Sequence, residues 1–286
     1  MKRKSKLVIQ GFAGSFHDEA ARKYFGNNRI EIVPARSFDE LGYMLQHDQS
    51  INYGVMAIEN SIAGSILQNY RILRENDFWI SGEVYLRISH NLMALPGQKI
   101  EDIKEAHSHP MAIYQCLDYF KSYPDISLVE SEDTALSAAK IAEGNIKNRA
   151  AIASRLAAQE YGLEILAEEI ESSKVNYTRF VIVSREGEYS SMGNANKASI
   201  YLRVSHNKGS LLKVLQKIAD HNINISKLQS FPVLGKMTEY YFHLDLEFDH
   251  ITQYEDCIEE VKRVSFGLDE LGIYTKASVH DHQPVA

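Results

Sequence analysis

Cysteine is scarce in this chain. Cys116 and Cys257 are the only two in 286 residues, they have no metal-ligand spacing, and each sits inside a helix-like pattern. A disulfide-framed fold and a cysteine-built zinc site are therefore not expected. No apolar run approaches the roughly 20 residues that cross a bilayer, which excludes a helical membrane span. Dense lysine or arginine stripes are missing after the first six residues and the net charge is -7, so nucleic acid is not the expected partner. An anionic ligand would have to be attracted locally. The basic start leads into only a short strand-like stretch, Leu7 to Gln10, too brief for the apolar region of a signal peptide. The expected location is the cytoplasm.

What is present is an ordinary globular composition, 44% apolar and 24% charged, on a chain longer than one typical domain. Short apolar runs alternate with helix-period segments, the pattern of strands and helices around a mostly parallel sheet. Strands are predicted at 7–10, 31–35 and 53–58, with helices over 16–25, 38–48 and 66–75. The stretch 79–95 has no helical period and is read as crossing between two lobes. A second set follows: strands at 105–107, 127–129, 149–152, 165–170 and 180–184, and helices over 109–120, 133–142 and from Ser154. Two similar halves predict a cleft between them.

Residues 186–196, REGEYSSMGNAN from Arg185 onward, lack any apolar period and are read as a linker. Beyond it, apolar alternation at Ile200, Leu202 and Val204 gives a strand, and Leu211, Leu212, Leu215 and Ile218 recur at helical spacing. Extended segments at 225–232 and 240–248, a helix at 254–264 and a last strand at 273–278 complete a βαββαβ order, the ferredoxin-like arrangement. The expected division is a two-lobed α/β region at 1–185, the linker at 186–196, an α+β module at 197–280 and a tail at 281–286.

Four polar clusters stand where strands give way to loops or helices, which is where open α/β sheets bind ligands. The first is GFAGSFHDEAA, Gly11 to Ala21, whose turn carries Ser15 ahead of a helix with free N-terminal amides. The second is AIENSIAGS, with Glu59, Asn60 and Ser61. HSHPMAIYQC is the third, with Ser108, His109 and Pro110 at a helix start and Gln115 about one and a half turns on. The fourth is VNYTRF, with Asn176, Thr178 and Arg179 at the mouth of an apolar strand. Caps, turns and surface cations account for each cluster taken singly. Together, in this order, they carry more information.

The combination resembles the prephenate dehydratases. Thr178-Arg179-Phe180, Glu59-Asn60-Ser61, and Ser108-His109-Pro110 followed by Gln115 match that family's motifs, and the match covers nearly the whole chain. The resemblance implies two catalytic lobes laid out like a periplasmic binding protein, with an ACT regulatory domain after them. Asn60, Ser108, Gln115 and Thr178 are implied as the catalytic groups, Thr178 foremost, with Ser15, Ser61, His109 and Arg179 binding substrate. Departures lie in the first loop, where Phe12, Ser15 and His17 replace the usual proline, threonine and serine.

The reaction so implied converts prephenate to phenylpyruvate in phenylalanine biosynthesis, and needs no metal or other cofactor. Because neighbours on a strand face opposite ways, Thr178 and Arg179 are not both expected to point into a cleft. In the second module, His206 to Pro232 resembles the ACT pattern. Gly209, Ser210, Leu211, Asn224 and Ser230 are the implied site for phenylalanine, and a homodimer or homotetramer is the implied assembly. Phe231 stands where that family usually has arginine, so altered affinity or coupling is expected. Two rivals keep the same residues: dehydration of arogenate, which has an amino group in place of the keto oxygen, and a two-lobed sensor that binds without turnover.

Overall fold

The computed structural model describes residues 4–185, 194–233, 235 and 239–277. Most of the expected linker, 186–193, and the expected tail, 281–286, lie outside the described residues. The chain opens with β1 (Ser5–Gln10), α1 (Phe16–Phe25), β2 (Ile30–Ala35), α2 (Phe38–His47), β3 (Tyr53–Asn60), β4 (Gly64–Ser65), α3 (Leu67–Glu75) and β5 (Trp79–Arg87). It continues through β6 (Asn91–Ala94), β7 (Glu105–Ser108), α4 (Pro110–Phe120), β8 (Ser127–Glu130), α5 (Thr134–Glu143), β9 (Arg149–Ala153), α6 (Arg155–Tyr161), β10 (Glu164–Ala167) and β11 (Tyr177–Ser184). The last part holds β12 (Lys197–Arg203), α7 (Ser210–Asp220), β13 (Asn224–Pro232), β14 (Tyr240–Glu247), α8 (Ile251–Val264) and β15 (Gly267–Tyr274).

Two sheets build the two-lobed α/β part. The first has the order β2-β1-β3-β11-β5, with β4 on β3, and its β1–β2 and β1–β3 pairs are parallel. The second runs β10-β6-β9-β7-β8. There β7 is parallel to β8 and β9, whereas β6 is antiparallel to both of its neighbours. The chain leaves the first sheet after β5 and enters the second at β6, so β6 arrives against the direction of the βαβ strands beside it. The expected strand at 165–170 is shorter, ending at Ala167 after an irregularity in its pairing with β6, and Ile170 is buried without belonging to a strand. Buried side chains on both faces of the second sheet explain its apolar reading: Ile113, Cys116 and Phe120 of α4 cover one face, and Ala135, Ala138 and Ile141 of α5 the other.

The described residues fall into two compact units, 4–72 with 84–180, and 73–83 with 181–277. Residues 73–83 belong with the C-terminal part, which a linear reading of the chain does not reveal. Trp79 packs on that unit's core. Gly272 lies so close to Ile80 that a Cβ would collide with the Ile80 carbonyl. Glu83, fully buried, pairs with buried Lys197 at 3.0 Å.

Within this unit β12, α7, β13, β14, α8 and β15 form an antiparallel sheet of order β13-β14-β12-β15 with two helices, the ferredoxin-like arrangement. Its last strand is β15, earlier than the expected 273–278. The glycines and acids of GLDELGIY hide the alternation, and pairing with β12 supplies the register. Burial pushes the thiols of Cys116 and Cys257 up to about 12 and about 11, so both behave as small hydrophobes. Among the described residues no helix is long and apolar enough to cross a membrane.

Candidate active site

Three helix starts and two strand ends of the first unit surround a cavity of about 270 Å³. Ser15 caps α1, its hydroxyl accepting the Asp18 amide at 3.3 Å, and His109 caps α4 through Nδ1, which accepts the Met111 amide at 3.2 Å. Asp133 caps α5 by accepting the Leu136 amide at 2.9 Å. Each cap consumes one of the free amides of its helix and leaves others, with the positive end of the helix dipole, near the cavity. Ser15, His109 and Asp133 all line it.

The first loop reaches this place because of its glycines. Gly11 has φ +94, and a Cβ there would stand 2.8 Å from Asp133 Oδ2; one on Gly14, at φ +80, would meet Ala157 Cα at 2.7 Å. No side chain fits either position. The hydroxyls of Ser154 and Tyr161 then hold the turn by donating to the carbonyls of Gly14 and Ala13, at 2.6 and 2.8 Å.

Asn60, the last residue of β3, organises the polar wall. Its Oδ1 accepts the amides of Ile62 and Ala63, both at 2.9 Å, which fixes the orientation of the side-chain amide. Nδ2 must then donate, and it does so to Thr178 Oγ1 at 2.9 Å and Asn176 Oδ1 at 2.8 Å. Asn176, fully buried, donates onward from Nδ2 to Gln115 Oε1 at 3.0 Å. The same Gln115 oxygen lies 2.8 Å from His90 Nε2, which therefore carries the hydrogen. Five side chains thus form one chain of hydrogen bonds: Thr178, Asn60, Asn176, Gln115, His90.

The directions of these bonds decide what the cavity offers. Thr178 Oγ1 receives Asn60, so its own hydrogen is free for a ligand; Gln115 Oε1 receives two donors, so its amide nitrogen is the group left over. His90 keeps an unpartnered, buried Nδ1, and burial lowers its pKa, the Gln115 bond opposing. His17 also lines the cavity, edge-on to Phe180 at 5.0 Å, with Nε2 accepting the Ala57 amide at 3.3 Å. It is half-buried by surface yet enclosed by aromatic rings, and desolvation lowers its pKa to about 3. Burial raises the Asp133 carboxyl, opposed by the backbone amides of Leu136 and Ala135.

Asn60, Gln115, Thr178, Ser15 and His109 of the expected set line this cavity together. Three others do not. Ser108 is fully buried and donates to the Ile152 carbonyl at 2.6 Å, which ties β7 to β9. Ser61 is exposed, accepts the Tyr177 amide at 2.9 Å and so secures β11 beside the β3 end. Arg179 is 4% exposed and outside the lining, as strand alternation requires once Thr178 faces in. Sequence reasoning passed over His90 and the linking role of Asn176. The latter was signalled by its position two residues before Thr178, hence on the same side of the strand; His90 had no local signal.

In the second unit a cavity of about 480 Å³ is bounded by the turn before α7, including Gly209, Ser210 and Leu211, and by Tyr240 and Phe242. Gly209 takes φ +82, and the hydroxyls of Ser205 and Ser210 lie 2.7 Å apart. Asn224 and Ser230 lie on β13, exposed and outside this lining, while Phe231 stands edge-on to Tyr201 at 6.1 Å.

The prephenate dehydratase family model matches residues 7–188. Arogenate dehydratase 2 of Petunia hybrida is 33% identical, over 96% of this chain and 72% of its own length. Prephenate dehydratase from Arthrobacter aurescens, solved in complex with L-Phe, is 27% identical with a TM-score of 0.84, covering 98% of this chain and 92% of that one. A structure described as GqqA, a novel type of quorum quenching acylase, is 28% identical with a TM-score of 0.85, covering 95% and 98%. With the family model spanning well over half of its length and the motif residues Asn60, Gln115 and Thr178 gathered on one cavity wall, this chain belongs to the prephenate dehydratase family.

Proposed function

We propose that the first unit catalyses the decarboxylative dehydration of prephenate to phenylpyruvate, a carbon–oxygen lyase reaction, with Thr178 as the donor to the departing oxygen. The observation that carries this reading is the hydrogen-bond chain whose Asn60 amide occupies Thr178 Oγ1 as acceptor and leaves the threonine hydrogen to the cavity. In the reaction the bond between ring and carboxylate breaks, its electron pair completes the aromatic ring, and the ring hydroxyl leaves with the pair of its C–O bond. Taking up a proton, that hydroxyl becomes water, and the carboxylate carbon leaves as carbon dioxide.

Thr178 is a weak acid, so its contribution is a hydrogen bond that strengthens as negative charge grows on the leaving oxygen. Gln115, with its carbonyl committed to Asn176 and His90, offers its amide to a substrate carboxylate. The amides at the starts of α1, α4 and α5 are suited to hold carboxylates by neutral donors. Residues Phe16, Ile66, Ile88 and Phe180 supply apolar wall that removes water from around the carboxylate to be lost.

The second unit is read as an ACT regulatory module with phenylalanine as its allosteric ligand, at the turn containing Gly209, Ser210 and Leu211. Its strand order and the cavity at that turn support this. β13 stands at the end of its sheet with Leu228 exposed, which suits association of two or four copies. A cytoplasmic setting is read from the sequence alone.

The test is formation of phenylpyruvate from prephenate by the purified chain, followed by its absorbance, with and without millimolar phenylalanine. Turnover is expected, with inhibition or a change of assembly on adding phenylalanine. Binding of prephenate with no product would favour the sensor reading, and cleavage of an acyl amide without phenylpyruvate formation would overturn the dehydratase reading.

A further inference from the structure

Among the described residues no lysine or arginine lines the active cavity, and Glu132 and Asp133 do, although prephenate brings two carboxylates. Uncharged donors have to hold it. Thr178, Gln115 and the helix starts supply some of them, and His17 supplies another.

The tautomer of His17 is set by the backbone. β1 pairs with β3 only as far as Ile9 opposite Val55, and two residues further along β3 the Ala57 amide donates to His17 Nε2 at 3.3 Å. A ring nitrogen that accepts carries no hydrogen, so the hydrogen of the neutral ring is on Nδ1. Among the described residues nothing accepts from Nδ1, and it is not one of the fully buried polar atoms without a partner, so this N–H reaches the open space that the ring lines. Phe38 and Phe180 flank the imidazole, at 5.5 and 5.0 Å between ring centres, and burial lowers its pKa to about 3, which leaves it uncharged at neutral pH.

Phe180 also fixes where this donor stands. It follows Thr178 by two residues on β11, on the same face and about 7 Å further along the strand, and both line the cavity. Prephenate carries its hydroxyl and its ring carboxylate at opposite ends of the ring. We propose that His17 is a further substrate-binding residue, whose Nδ1–H donates to the ring carboxylate while Thr178 donates to the hydroxyl at the other end. This role rests on the dehydratase reading, since the group held is the one lost as carbon dioxide. A lysine or arginine in its place would bind that charge in the ground state and lose the attraction as carbon dioxide forms, which slows the step. An uncharged donor among aromatic rings orients the group and forfeits less.

The experiment uses two variants of the full chain. His17→Phe keeps a ring in the wall and removes the donor, whereas His17→Gln has an amide that can accept from Ala57 and donate to the cavity. KM for prephenate is expected to rise about tenfold or more in His17→Phe, the loss typical of a hydrogen bond to a charged group, with kcat changing less. His17→Gln should recover part of that rise, and KM does not depend on how much of a variant is folded. Phenylpyruvate, which keeps the side-chain carboxylate and lacks the ring carboxylate, is assayed as a competitor, and its inhibition constant should stay within about twofold of wild type in both variants. An unchanged KM in His17→Phe, a KM in His17→Gln no better than in His17→Phe, or a phenylpyruvate constant that rises in step with KM would overturn this inference and leave the dehydratase reading standing. A wild-type chain that makes no phenylpyruvate from prephenate would overturn both.

Discussion

Each unit contains a buried cluster of hydrogen-bonded polar side chains, and the two differ in what they leave over. In the second unit, Asp245 Oδ1 receives Ser199 Oγ at 2.5 Å and lies 3.0 Å from His243 Nε2, and Ser199 lies 2.7 Å from the Tyr274 hydroxyl. All four residues are at most 1% exposed and they sit on β12, β14 and β15, so the cluster joins strands. In the first unit, Thr178, Asn60, Asn176, Gln115 and His90 are bonded just as densely, yet Thr178, Gln115 and His90 line a cavity with hydrogen-bonding capacity in reserve. A polar network turned wholly inward joins strands; one that stops short at a cavity wall keeps donors and acceptors facing that cavity. Composition does not separate the two, because both contain a histidine, a hydroxyl and an amide or carboxylate.

The sharpest break in this comparison is Thr178→Val, nearly isosteric and lacking the donor. Turnover should drop at least about a hundredfold while the melting temperature stays close to wild type. Steady-state rates alongside calorimetry would check it, and an unchanged kcat would remove Thr178 from its role. The mirror experiment is Asp245→Leu, which strands Ser199 and His243; urea unfolding should show a loss of about 3 kcal/mol. A stability equal to wild type would mean that this cluster does not hold the sheet.

Smaller effects test the reserve itself. His90→Phe removes the donor that helps to orient Gln115, and kcat/KM should fall about tenfold, with His90→Gln recovering part of it. If the two variants behave alike, orientation of Gln115 is not the cause. His17 has a folded pKa of about 3 against an unfolded value of 6.5, so its contribution to stability is complete above pH 6.5. That contribution is lost as pH falls from 6.5 toward 3, where the unfolded chain binds a proton that the folded chain excludes. Because the ring is only half-buried by surface, the slope should be about 1 kcal/mol per pH unit or less. His17→Phe should flatten the pH dependence of the unfolding midpoint over that range, and an unaltered slope would assign it to other groups.

Much of the fold was legible because local signals and tertiary structure agree. The expected α1 matches residue for residue, since Ser15 caps it and Gly26, at φ +86, ends it. β15 was misplaced because its glycines and acids carry no alternation, and its partner β12 decides the pairing. Residues 73–83 could not be assigned to the second unit from sequence, as the contacts of Trp79, Ile80 and Glu83 lie with residues about a hundred or more positions away. Five of the motif residues meet at one cavity, but the motifs do not give the direction of each side chain. Ser108 and Ser61 have the chemistry of site residues and are used to fasten strands, whereas His90, in the irregular ISH between β5 and β6, carries no motif of its own.

That irregular stretch has a mechanical meaning. The backbone passes from the first sheet to the second at residues 88–90 and returns at 168–176, and these passages are joined to each other by the Ile88 amide on the Asn176 carbonyl and the Ile170 amide on the His90 carbonyl, at 2.7 and 2.8 Å. His90 and Asn176 thus belong both to the passages between the sheets and to the network. The backbone that joins the two sheets therefore carries the same residues that aim Gln115 and Thr178, so the connection between the lobes and the geometry of the polar wall are set at one place.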